Sequence, residues 1–112
     1  MLYLIIGLFA VAAVFGLTIL TGWLRKRNVS RTVVFSHGGF AAIALVLLIV
    51  YALQHPEAYP QLSLILFIVA ALGGFYMFFR EMNTGNKSTG VAVVHALLAV
   101  TAFVALLVFA FA

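Results

Sequence analysis

Four long apolar stretches, read at about residues 2–24, 32–53, 61–79 and 89–112, make up nearly the whole chain, and every charged residue falls in the three gaps between them. Each stretch is near the roughly 20 residues that a helix rising about 1.5 Å per residue needs to cross about 30 Å of hydrocarbon. None shows the alternating pattern of a membrane barrel, and backbone groups in lipid must be satisfied within the segment, so the pattern predicts four transmembrane helices. The gaps are short, which makes sequence neighbours antiparallel neighbours in space. The expected fold is an all-α membrane protein, an up-down-up-down bundle of four transmembrane helices.

The pattern also repeats. Displaced by 58 residues, the chain matches itself without a gap: Leu8-Phe9, Val11-Ala12-Ala13 and Gly16 fall on Leu66-Phe67, Val69-Ala70-Ala71 and Gly74. Asn28, Ser30, Val33, His37, Ala41 and Ala44 fall on Asn86, Ser88, Val91, His95, Ala99 and Ala102. Roughly 17 of about 54 aligned positions are identical, more than an apolar bias gives by chance. The chain reads as one transmembrane unit, 1–112, built from two copies of a helical hairpin (1–54 and 59–112) related by a pseudo-two-fold axis along the membrane normal. Asn83-Thr84-Gly85-Asn86 reads as a turn, with Ser88 or Thr89 capping the fourth helix.

Composition agrees: 67% of residues are hydrophobic, 7% are charged, and the mean hydropathy is +1.30, too little polar surface for a soluble domain. Charge adds an orientation. Arg25, Lys26, Arg27 and Arg31 lie between the first two spans, Arg80 and Lys87 between the last two. The positive-inside rule makes both connections cytoplasmic and puts both termini, with the loop Gln54–Pro60, on the other side of a bacterial-type inner (plasma) membrane. The net charge of +4 therefore reports topology. The basic residues form no separate domain, which argues against nucleic acid. The first span has no basic segment before it and is not read as a cleavable signal. Trp23 and Tyr59 read as interface anchors. No cysteine is present, so neither disulfides nor thiolate metal sites are expected.

The candidate chemistry lies in the histidines. His37 is six residues beyond Arg31 and His95 six beyond Thr89, each about 9 Å into its span and level with the other. An ionisable residue inside a span is costly and usually functional. Both copies read His-x-x-x-Ala-x-x-Ala, through Ala41 and Ala44 or Ala99 and Ala102, with Gly16, Gly38, Gly73 and Gly74 at a similar level. Small stripes of this kind also let membrane helices pack closely, and that is the competing reading. A metal without a macrocycle would want more protein ligands than two imidazoles, and no Cys, Asp or Glu lies in a span at that level. Heme asks only for axial ligands on opposite faces. His37 and His95 are the expected metal ligands, and the Gly and Ala positions the expected room for one heme b per chain.

Secondary assignments follow from that reading. The carbonyls of Val33 and Val91, one turn earlier, are expected to take the second N–H of each imidazole, with Ser36 and Thr101 as weaker acceptors. Phe35, Phe40, Phe75, Tyr76 and Phe103 are candidates to line the ring and Met77 an alternative ligand. Arg25, Lys26, Arg27 and Arg31 are placed to pair with propionates, although topology alone explains them. His55 has no repeat counterpart and reads as a loop residue.

On His37, His95 and their small neighbours, within a four-helix chain, the protein resembles the small b-type membrane cytochromes: the cytochrome b561-like proteins and the heme-bearing anchors of succinate dehydrogenase. The resemblance is one of architecture. It implies bis-histidine heme b between helices and electron exchange with a quinone or a partner protein. It departs in having histidines for one heme where cytochrome b561 proteins generally carry enough for two. Two alternatives stand beside it. A small multidrug exporter has this size, but its carboxylate within the first helix is missing here, where Thr18 and Thr21 are the only polar side chains and Glu57 and Glu81 fall outside the spans. A cofactor-free structural or assembly subunit of a membrane complex is the other. Oligomers are compatible with either.

Overall fold

A computed structural model describes residues 1–112. It is all-helical: α1 Leu2–Leu24, α2 Arg31–Gln54, α3 Gln61–Thr84 and α4 Thr89–Phe111. All four are long and apolar enough to cross a membrane, and they form an elongated bundle of 44 × 19 × 19 Å. The outer surface is apolar, with Leu4, Val14, Leu17, Val46, Leu53, Leu72, Val100 and Val104 all exposed, as a lipid environment requires. Intramembrane hydroxyls are satisfied by their own helices: Thr18 donates to the Val14 carbonyl, Thr21 to Leu17 and Thr101 to Leu97.

The ends follow local chemistry. The Ser30 hydroxyl accepts from the Thr32 amide to start α2. Gly85, at φ 73°, ends α3 in the left-handed conformation that glycine adopts without strain. The third helix continues to Thr84, five residues beyond the apolar stretch that ends at Phe79. Backbone hydrogen bonding does not require apolar side chains, so helix and hydropathy end in different places. Asn83 and Thr84 are thus still helical, and the turn begins at Gly85. Ser88 stands at the start of α4 but its side chain makes no capping bond.

α1 packs on α2 and α3 on α4, and the two hairpins meet more loosely along a seam where α1 touches α4 and α2 touches α3. The diagonals are α1 with α3 and α2 with α4. The repeat reappears as burial. The main core joins Ile5, Phe9, Ala44 and Leu48 to Phe67, Ala102 and Leu106, and the place matching Ile5 is taken by buried Ser63, whose hydroxyl donates to the Ala102 carbonyl at 2.8 Å. Phe9 and Phe67 stack across the seam, ring centroids 3.8 Å apart and planes within 1°. A second, smaller cluster of Trp23, Met77 and Ala92 closes the bundle toward the basic loops. Trp23 is therefore core, 8% exposed, and does not stand at the surface as an anchor. Between the two clusters the apolar core is interrupted.

Candidate functional site

The interruption is the level of the histidines. His37 approaches from α2 and His95 from α4, with ring centroids 6.2 Å apart and planes at 78°. Each ring is fixed by its own hairpin. His37 Nδ1 lies 2.8 Å from the Ala12 carbonyl oxygen in α1, and His95 Nδ1 lies 2.7 Å from the Ala70 carbonyl oxygen in α3. A carbonyl only accepts, so Nδ1 donates in both rings, and Nε2 makes no hydrogen bond within the protein. The acceptors are thus not Val33 and Val91. They come from the neighbouring helix, at two alanines that are themselves repeat equivalents.

Glycine makes this approach possible. A Cβ at Gly16 would lie 2.9 Å from Cε1 and 3.1 Å from Nδ1 of His37, and one at Gly74 would lie 3.2 Å from Cε1 of His95. Both glycines sit one turn after the accepting alanine, so the ring lies on bare helix backbone. Gly73 is in ordinary contact range, 3.9 Å from His95 Nδ1, whereas a Cβ at Gly38 would meet nothing within 4 Å. Gly38 is exposed on the outer surface and is not brought to the imidazoles.

The alanines divide. Ala44 and Ala102 are fully buried in the main core, one level deeper than the rings. Ala41 and Ala99 are half-buried and are the pair that shares the histidine's face one turn on. Of the aromatics, Phe35, Phe75 and Tyr76 are exposed, Phe40 stacks on Phe15, and Phe103 packs against the main core. Met77 is buried beside Trp23 and Ala92. His55 is at the opposite end of α2, stacked on Tyr51 with centroids 4.2 Å apart and Nδ1 3.0 Å from the Tyr51 carbonyl oxygen.

The chemistry on offer is therefore two imidazoles, each anchored through Nδ1 and with Nε2 making no hydrogen bond, brought to 6.2 Å centroid to centroid across the seam between two hairpins. No group of three or more His, Cys, Asp or Glu side chains converges anywhere in the protein, so a protein-only metal site would be short of ligands. The signal for Ala12 and Ala70 was present in the repeat: Ala12 and Gly16 are matched one turn apart by Ala70 and Gly74. Comparison with protein-family models, curated proteins and solved structures returned no match.

Proposed function

We propose that the chain is a heme b-binding membrane protein, an electron-transfer cytochrome with one bis-histidine heme between α2 and α4. The observation that carries the reading is the His37–His95 pair. One metal held between two imidazoles at ordinary metal–nitrogen distances of about 2 Å would need ring centroids about 6 Å apart, and His37 and His95 have theirs 6.2 Å apart. The donor set agrees, since Nδ1 is spent on a carbonyl and Nε2 is free in both rings.

Heme b, when bound, supplies a one-electron Fe(III)/Fe(II) couple. His37 and His95 bind through Nε2. The Ala12 and Ala70 carbonyls hold the ring orientation and raise its basicity, Gly16 and Gly74 give the rings their place, and Ala41 and Ala99 keep the adjoining turn shallow. The seam, where the hairpins meet more loosely than their own helices do, is where a flat ring would enter. The Phe9–Phe67 stack and the Trp23–Met77 cluster close the site from below and above and keep water out. With the basic loops cytoplasmic in a bacterial-type inner membrane, the site lies in the cytoplasmic half of the bilayer, where a quinone or a redox partner protein would exchange electrons with it.

The test is the absorption spectrum of the purified protein, oxidised and then dithionite-reduced, with pyridine hemochrome quantification. One low-spin b-type heme per chain is expected, because two strong-field imidazoles fill both axial positions. A colourless protein from a heme-replete host would leave the histidines as helix-to-helix hydrogen-bonding staples in a structural subunit.

A further inference from the structure

At the basic end of the bundle, where the helices stop, a polar cleft of about 190 Å³ is lined among others by Trp23, Asn28, Arg31, Val34, Glu81 and Lys87. The helix ends fix its depth: Trp23 is the penultimate residue of α1, Arg31 the first of α2, and Glu81 stands in the last turn of α3. In a bilayer that is the level of the headgroups. The lining carries two cations, Arg31 and Lys87, against one carboxylate, Glu81. Both cations bond to neutral acceptors. Arg31 Nη1 donates to the Met82 thioether at 3.1 Å, an exposed contact between α2 and α3, and Lys87 Nζ donates to the Arg27 carbonyl at 3.2 Å. A thioether is a weak acceptor, a guanidinium has five donors and an ammonium three, so N–H groups of both stay open to a ligand arriving from the membrane surface.

Below the cleft the surface turns apolar. α2 and α3 make the sparsest contact of the four neighbouring helix pairs. One turn after Val34, on the same side of α2, an added Cβ at Gly38 would meet nothing within 4 Å. Phe35 of α2, itself exposed, meets Phe78 of α3 edge-on with centroids 5.8 Å apart. The polar cleft thus opens downward onto a thinly packed apolar border between the two hairpins.

A phospholipid has these two parts in this order, a phosphate at the interface and apolar chains beneath it, whereas a soluble anion uses only the upper half. We infer that the cleft seats the phosphate of an anionic phospholipid, held by Arg31 and Lys87, with an acyl chain along the α2–α3 border. Arg takes phosphate through paired N–H···O bonds. A zwitterionic headgroup brings a cation of its own into a cleft that is already net positive. Arg25, Lys26, Arg27 and Arg80 do not line the cleft and belong to the general charge asymmetry of the loops. The inference does not depend on what the histidines bind.

Trp23 is the only tryptophan and lines the cleft, so its fluorescence reads the occupant. The purified full chain is reconstituted in phosphatidylcholine vesicles carrying a minor fraction of phosphatidylglycerol or phosphatidylcholine brominated in the upper acyl chain. Quenching is taken relative to the same variant in unbrominated lipid. Brominated phosphatidylglycerol should quench as though enriched roughly fivefold or more over its bulk fraction, the effect of even one Lys or Arg acting on anionic lipid. The enrichment should vanish in Arg31→Gln/Lys87→Gln and survive in Arg25→Gln/Arg80→Gln, which makes the same charge change outside the cleft. It should rise in Glu81→Gln, a variant that keeps both cations and so carries the test if the first one fails to fold. Equal quenching by the two brominated lipids in the natural chain, equal loss of enrichment in both double variants, or no rise in Glu81→Gln overturns the inference. Loss of the enrichment on adding inorganic phosphate at constant ionic strength assigns the cleft to a free anion and refutes the lipid.

Discussion

Gly16→Ala should damage the site, and the size of the effect can be worked from the contacts. The new Cβ would stand 2.9 Å from His37 Cε1, where ordinary contact begins at 3.4 Å, so the ring must retreat by about 0.5 Å. Its Nδ1 is held at 2.8 Å by the Ala12 carbonyl, so the retreat lengthens or bends that bond. Overpacking of this kind costs about 1–3 kcal/mol, or about 5- to 150-fold in affinity for a ligand that needs the ring in place. At Gly74 the contact is 3.2 Å; a retreat of about 0.2 Å suffices, which places Gly74→Ala at the lower end. Alanine also gains roughly 0.8–1.0 kcal/mol of helix propensity over glycine. Gly38→Ala shares that gain and meets nothing within 4 Å, so it is the reference that cancels it. Relative to Gly38→Ala, cofactor affinity should fall most in Gly16→Ala and less in Gly74→Ala, with resistance to SDS unfolding following the same order. If Gly16→Ala and Gly38→Ala behave alike in both measurements, the close approach of imidazole to helix backbone is not a feature of the protein in solution.

Phe67→Ala removes half of the Phe9–Phe67 stack from the main core and should cost about 3–5 kcal/mol, read by thermal melting in detergent. Ser63→Ala breaks the bond to the Ala102 carbonyl, but intramembrane hydrogen bonds average only about 0.6 kcal/mol, so its melting shift should be far smaller than that of Phe67→Ala. Leu at Ala41 or Ala99, half-buried on the histidine's face, should lower heme per folded protein, whereas Leu at exposed Val46 or Val104 should not; equal occupancy would assign the alanines to helix packing alone.

Much of this was legible in the sequence because the repeat supplies constraints that a single hairpin would not. It makes His37 and His95 equivalent, and it pairs Phe9 with Phe67 and Ala44 with Ala102, pairs that the fold buries together. What escaped was set by approach between helices. Sequence spacing points to the carbonyl one turn earlier on the same helix, but the acceptor is Ala12 or Ala70 on the neighbouring helix, whose backbone the ring can approach because the residue one turn on, Gly16 or Gly74, carries no side chain. Trp23 reads as an anchor from its place near a basic loop, yet the small Ala92 opposite it leaves room for the indole inside. Gly38 adjoins His37 in sequence, but consecutive helical positions point about 100° apart, which turns it outward. The bond from Lys87 Nζ to the Arg27 carbonyl depends on how two loops meet and has no local signature.

The proposed heme depends on His37 and His95 as its two ligands, and not on His55. Absorption spectra of the natural chain and of His37→Ala, His95→Ala and His55→Ala, normalised to folded protein, test it most directly. One low-spin b-type heme per chain is expected in the natural protein and in His55→Ala, with heme lost or severely depleted in the other two. Similar spectra from all three variants, two hemes per chain, or a colourless natural protein would contradict it.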